Sequence, residues 1–136
     1  QAAIESFMQA GPELALDVLA NDGQFARADE VIDRAIRAAP EDPYNYELKA
    51  YITLMQEAYD ATLDAADRAV ALDGGRIWAH YYAAVALVHS GRTDAGIARF
   101  DRAIEAGLDT GVIRSFAADL IAAGAIVEAI RLGARY

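Results

Sequence analysis

Cysteine is missing from this 136-residue chain, and proline occurs only three times. The first absence excludes disulfides and thiolate chemistry while leaving the compartment open, whether cytoplasm or, after removal of a signal peptide, periplasm or exterior. The second removes the commonest interruption of helices. Basic residues are scarce too: 12 Lys and Arg stand against 21 Asp and Glu, a formal net charge of −9. Phosphate binding needs a cationic footprint, so nucleic acid is excluded as a partner. An acidic surface instead favours solubility and encounters with neutral or basic partners. No apolar run approaches the roughly 20 residues that span a bilayer, so no membrane insertion is expected. No Gly-rich loop follows a strand, so no cofactor is expected either. The chain opens on Gln1 and not on Met, which implies that a segment was removed upstream, either a cleaved signal peptide or one beyond a chosen boundary.

What the chain has in quantity is alanine, 32 residues of it, and alanine loses least on becoming helical. One phrase recurs at a spacing of 34 residues: Asp33-Arg34-Ala35-Ile36, Asp67-Arg68-Ala69-Val70 and Asp101-Arg102-Ala103-Ile104. A fixed period in this range means stacked like units. The alanine lets two helix backbones approach, the branched aliphatic fills the space beside it, and Asp and Arg stay in water. Glu30 with Arg34 and Asp33 with Arg37 are acid-before-base pairs on that solvated face, each contributing ~0.3 kcal/mol.

Helical spacing and breakers set the order of elements. A short helical face runs over 2–9, and a helix begins at Pro12 and stops at Asn21-Asp22-Gly23. A second spans 24–39, buried through Ala28, Val31, Ile32, Ala35 and Ile36. Helices at about 44–57 and 60–72 follow, then 76–89 and 93–106. The last pair starts at Thr110-Gly111, turns at Gly124, runs on through Val127-Glu128-Ala129-Ile130 and ends at Arg135-Tyr136. Turns this short force antiparallel neighbours, so each unit is a helical hairpin. The fold class is all-α, an α-solenoid.

The recurring slots of the second helices read Ala28, Ile32, Ala35 and Pro40, then Thr62, Ala66, Ala69 and Gly74, then Gly96, Phe100, Ala103 and Leu108. In the first helices a small slot holds Ala50 and Ala84 but Leu16 in the first unit. A bulky slot holds Tyr46 and His80 but Pro12 in the first unit. This pattern resembles the tetratricopeptide repeat family. The resemblance implies repeats at about 9–42, 43–76 and 77–110 with a partial fourth at 111–136, wound into a right-handed superhelix. The first repeat is the most divergent. The last helix carries Ile126, Val127, Ile130 and Leu132 where a solenoid end needs a polar cap, so the chain is expected to continue past Tyr136. The alternative is that these side chains bury against another subunit, a homo-oligomer through the C-terminal helix.

Little points to catalysis. His80 and His89 lie nine residues apart on one helix, on opposite faces, and cannot share a metal. His80 reads as a half-buried packing histidine. His89 sits at a helix end where a positive charge is favoured. Its neighbour Ser90 lacks a third orienting group and a nucleophile-elbow pattern, so no catalytic residue is expected. Gly74-Gly75-Arg76 could hold an anion on free amides, but two glycines between helices more often form a cap and a turn. Asp60, Asp64 and Asp67 lack the loop geometry of a calcium site, so no metal is expected.

The resemblance implies that the first helices of successive units line a concave surface where a partner sits. The stripe there reads Tyr44, Glu47, Tyr51 and Met55 in the second unit. In the third it reads Trp78, Tyr81, Val85 and then Val88 or His89. Flanking units supply Glu13, Asp17, Ser115 and Asp119, leaving the groove aromatic in the middle and acidic toward its ends. Tyr46 and Tyr82 belong to the other face and pack against neighbours. Large rings with a polar handle are enriched in recognition surfaces. Chaperone-binding members of the family clamp a terminal carboxylate with cations. The matching places here hold Glu13, Asp17, Leu48, Trp78 and Tyr82, which disfavours such a ligand. The expected role is a non-enzymatic protein-interaction scaffold for a protein or peptide segment, extended or helical, with apolar anchors and some Lys or Arg. The alternatives are a substrate-positioning repeat arm of a larger enzyme and a homo-oligomerisation module.

Overall fold

The computed structural model describes residues 24–136, which leaves the expected helices at 2–9 and from Pro12 to Asn21, with Glu13, Leu16 and Asp17, outside the described residues. Seven α-helices follow: α1 (Phe25–Ala38), α2 (Pro43–Met55), α3 (Tyr59–Leu72), α4 (Ile77–His89), α5 (Thr93–Glu105), α6 (Ile113–Ala122) and α7 (Ile126–Arg135). A single 3-10 turn, Thr110–Val112, leads into α6. The expected boundaries therefore hold to within about two residues.

Four of the helix ends close by one hydrogen-bond pattern. A left-handed residue donates its amide three residues back, and the next donates five residues back. The pairs are Glu57 to Leu54 with Ala58 to Thr53, Gly91 to Val88 with Arg92 to Leu87, Gly107 to Ile104 with Leu108 to Ala103, and Gly124 to Ile121 with Ala125 to Leu120. This arrangement satisfies carbonyls that the helix leaves orphaned. Gly91 and Gly124 take the positive φ freely, whereas Glu57 holds φ 59°, a conformation costing ~1–2 kcal/mol for a residue with a Cβ. At the start of α2, Pro43 occupies the first turn and Asp42 Oδ1 accepts from the Tyr44 amide at 3.0 Å.

Packing runs along the chain. Each helix packs on its sequence neighbour within and between hairpins, and the first helices α2, α4 and α6 also touch in succession. The buried side chains fall into three clusters in place of one centre. Val31, Ile32, Leu48 and Ile52 join α1 to α2. An alanine seam of Ala50, Ala66, Ala69, Ala79 and Ala83 joins α2, α3 and α4. Phe100, Phe116, Leu120 and Leu132 hold α4 to α7 together. Phe100 and Phe116 stack face to face across a hairpin boundary at 4.2 Å between centroids. This is the construction of an all-α solenoid of helical hairpins.

The recurring alanine does as expected at Ala69 and Ala103, both fully buried, while Ala35 is only half-buried and lends its carbonyl to Asn45 Nδ2 at 3.3 Å. Gly96 brings α5 closest to its partner: a Cβ there would stand 2.7 Å from Val88 Cγ2 and 3.0 Å from the Ala84 carbonyl. The recurring aspartates do more than meet water. Asp33 pairs with Lys49 at 2.9 Å, Asp67 with Arg99 at 3.0 Å and Asp101 with Arg135 at 2.7 Å, so each reaches into the following hairpin. Asp33 thus takes Lys49 in place of the expected Arg37, whereas Glu30 does pair with Arg34 at 3.3 Å. These pairs are partly exposed, and each contributes about 0–1 kcal/mol.

Candidate interaction surface

The first helices α2 and α4 lie side by side and bring their rings into one connected surface. Tyr51 of α2 and Tyr82 of α4 have centroids 5.5 Å apart. Tyr82 lies 6.0 Å from Trp78 with near-parallel planes, and Trp78 meets Tyr81 edge-on at 5.8 Å. Tyr81 continues inward, 6.1 Å from Phe100 and 6.4 Å from Phe116, which ties the surface to the core. Trp78 is 44% exposed, and Met55 is exposed at the far end of α2. Tyr44 lies under the Arg76 guanidinium, 5.7 Å from its ring centroid. Tyr82 is thus a correction: its ring joins Tyr51 and Trp78 on this face and not the opposite one. Tyr46 does pack elsewhere, bonding the Pro40 carbonyl at 3.0 Å beneath the Arg68 guanidinium.

Two parts of the expected stripe belong to the interior, Glu47 and the pair Val85 and Val88, of which Val88 is fully buried. Val85 is 7% exposed and packs in the cluster around Phe100. Glu47 is 6% exposed. Its Oε1 accepts from Arg76 at 2.9 Å and its Oε2 from the Ala79 amide at 3.0 Å. Ala79 is in the first turn of α4, which carries no side-chain cap of its own. Glu47 therefore caps the helix of the next unit and neutralises part of its positive end. The physical reason for both corrections is the same. A stripe counted on one helix ignores what the adjoining helix places against it.

Of the acidic residues expected at the groove's ends, Asp119 accepts from His89 Nε2 at 2.9 Å. His89 also stacks on Tyr59, 5.7 Å away at 11°. Units two, three and four meet there through α3, α4 and α6. Burial, and next the Asp119 carboxylate, push the Tyr81 phenol up to about 12.

His80, Ser90 and the Gly75 amide each have a partner. His80 is buried, its Nε2–H donating to the Gly74 carbonyl at 2.9 Å and its Nδ1 accepting from Arg99 Nε at 3.0 Å. Ser90 donates to the Ala86 carbonyl at 2.6 Å and does not face His89 Nε2. The Gly75 amide donates to Asp73 Oδ1 at 3.0 Å, so the anion reading of Gly74-Gly75-Arg76 finds that amide already taken. Among the described residues no three His, Cys, Asp or Glu side chains gather as a metal site, and no helix is long and apolar enough to cross a membrane. A separate cleft of about 340 Å³ between α2 and α3 is lined by Tyr46, Lys49, Asp64 and Arg68, away from the rings.

No protein-family model matches the chain, and no curated protein does. Solved structures do. A crystal structure of MamA shares 21% identity, covering 96% of this chain and 81% of its own, with a TM-score of 0.69. Another MamA, MSR-1 C2, shares 21% over 84% of this chain and 66% of its own, with a TM-score of 0.65. A mutant O-GlcNAc transferase from Thermobaculum terrenum shares 26% over 84% of this chain, at a TM-score of 0.64. This chain spans only 22% of that transferase. The fold is a tetratricopeptide-like helical repeat. Identities this low speak for the fold alone; what the surface does must come from its own residues.

Proposed function

We propose that the chain belongs to the tetratricopeptide repeat family, with repeats near 9–42, 43–76 and 77–110 and a partial fourth, and acts as a non-enzymatic protein-interaction module. Its binding surface is the aromatic face of α2 and α4, formed by Tyr44, Tyr51, Met55, Trp78, Tyr81 and Tyr82, and extended to His89. Glu47 and Val85 support that face from beneath. The observation that carries the reading is the half-exposed Trp78 set among Tyr51, Tyr81 and Tyr82, since exposed rigid rings supply contact area at little entropic cost. The ligand is an extended or helical peptide segment with apolar anchors for the rings. Some Lys or Arg in it suits Asp119 and the overall charge of −9.

The test is selection from a random peptide library followed by alanine variants. Enriched peptides should combine an apolar residue with Lys or Arg. Tyr51→Ala and Trp78→Ala should each weaken them by ~1–3 kcal/mol while helicity is retained. Peptides bound equally by both variants, or a loss of helicity with no loss of affinity, would return these rings to the core. The likeness to a stretch of a much longer transferase supports a second reading, a repeat arm that positions substrate for a catalytic domain. That reading requires a catalytic domain in the same polypeptide, and the gene's full reading frame decides it.

A further inference from the structure

On the aromatic face proposed above, on which this inference rests, we infer that the ligand's basic residue is an arginine whose guanidinium lies over Trp78. A cation is drawn to the negative face of an aromatic ring, and an indole attracts it best. Trp78 is 44% exposed, whereas Tyr44, Tyr51, Tyr81 and Tyr82 are half-buried. Tyr82 lies against it at 6.0 Å with planes 28° apart, and Tyr81 meets it edge-on at 5.8 Å. Two neighbours thus hold the indole in one orientation, and the side away from Tyr82 is left as the seat for a flat cation.

The chain's own cations use this mode and leave this seat open. Arg68 stands over Tyr46 at 5.6 Å, Arg76 over Tyr44 at 5.7 Å and Arg135 over Tyr136 at 5.4 Å. Among the described residues none stands over Trp78, although Arg76 is only two positions away. Arg76 is engaged elsewhere, by Glu47 at 2.9 Å and Asp73 at 4.0 Å besides the Tyr44 ring. One cation between two carboxylates leaves that end of the face attractive to a further positive charge.

Asp119 is the rival seat, and it is already taken, with His89 Nε2 2.9 Å from its Oδ1. A ligand cation arriving there has to displace the imidazole, whereas over Trp78 it displaces only water. Arginine suits the ring better than lysine, because the guanidinium is planar and weakly hydrated while the ammonium holds its water tightly. The net charge of −9 draws either cation to the surface, and the ring selects between them.

Peptides selected from a random library test this when each arginine is replaced in turn by citrulline, which keeps the shape and removes the charge. At one position the replacement should weaken binding to the 136-residue chain by ~5-fold or more. Against Trp78→Leu, which keeps apolar area but has no ring, the same replacement should cost under ~2-fold. Trp78→Phe, with its weaker ring, should fall between the two. Asp119→Asn should leave the preference for arginine at ~5-fold. A preference that survives Trp78→Leu and collapses in Asp119→Asn would put the cation on the carboxylate and overturn the inference. Citrulline peptides bound as tightly as their arginine parents would overturn it too, since Trp78 would then be an apolar anchor alone. Both results spare the proposed interaction face, because peptides still bind there. A library from which nothing is enriched would remove the face and this inference together.

Discussion

Glu47→Ala is the substitution that reaches furthest into this architecture. It removes the carboxylate that bonds Arg76 at 2.9 Å and the Ala79 amide at 3.0 Å, both across the boundary between the second and third units. Ala79 is fully buried, so its amide is left with neither carboxylate nor water. Arg76 is a quarter exposed on its side chain and keeps Asp73, at 4.0 Å, and the Tyr44 ring beneath it. Its Nε has no partner even in the intact protein. A charge-assisted hydrogen bond contributes about 1.5–3 kcal/mol and an orphaned buried amide costs about 1–3. Water reaching Arg76 offsets part of this, which puts the expected loss at about 3 kcal/mol. With a urea slope of about 1.5 kcal/mol/M, the midpoint followed by circular dichroism should fall by about 2 M. Glu47→Gln keeps the shape and one acceptor and should lose about half as much. An Ala variant within ~0.3 M of the parent midpoint would refute the view that this residue couples the units.

Two further outcomes follow from packing and titration. Gly96→Ala drives a methyl into Val88 and the Ala84 carbonyl, so thermal unfolding should show a loss of about 1–3 kcal/mol despite the better helix propensity; unchanged stability would mean that α4 and α5 can separate freely. Tyr81 keeps its phenolic proton to about 12 in the folded chain, against 10.0 for an unperturbed group, chiefly through burial and then through Asp119. The folded pKa is the raised one, so this stabilisation is complete below pH 10 and lost as pH climbs through 12. Tyr81→Phe should flatten that alkaline fall in denaturation experiments, and an identical fall in the variant would contradict the assignment.

The hairpins were legible because their signals are local. A spacing of 34 residues, glycine at positions 91, 107 and 124, and Pro43 after Asp42 mark ends that obey backbone sterics alone. Glu57 shows the limit: its left-handed turn matches Gly91, yet nothing in a glutamate announces it. The aromatic face was half legible. Trp78, Tyr81 and Tyr51 appear on a helical stripe, but the sequence reading puts Tyr82 on the other face, although it stands one turn from Trp78 and stacks on it, and α2 adds Tyr51 as a further neighbour. Glu47 and Val85 were misread for the complementary reason. Their surroundings are made by residues about 30 positions away, an amide at Ala79 and a ring at Phe116, which the periodicity of one helix does not register. The interhairpin pairs of Asp33, Asp67 and Asp101 escaped notice likewise, since their partners do not recur at one fixed offset.

Trp78 is the sole tryptophan of the chain, so its emission reports on the proposed surface with no competing signal. On titration with a library-selected apolar–basic peptide, the spectrum should shift to the blue and saturate, and Tyr51→Ala should move the midpoint to higher peptide concentration. A peptide that binds by calorimetry while the emission of Trp78 stays where it was would show that recognition happens elsewhere on the molecule.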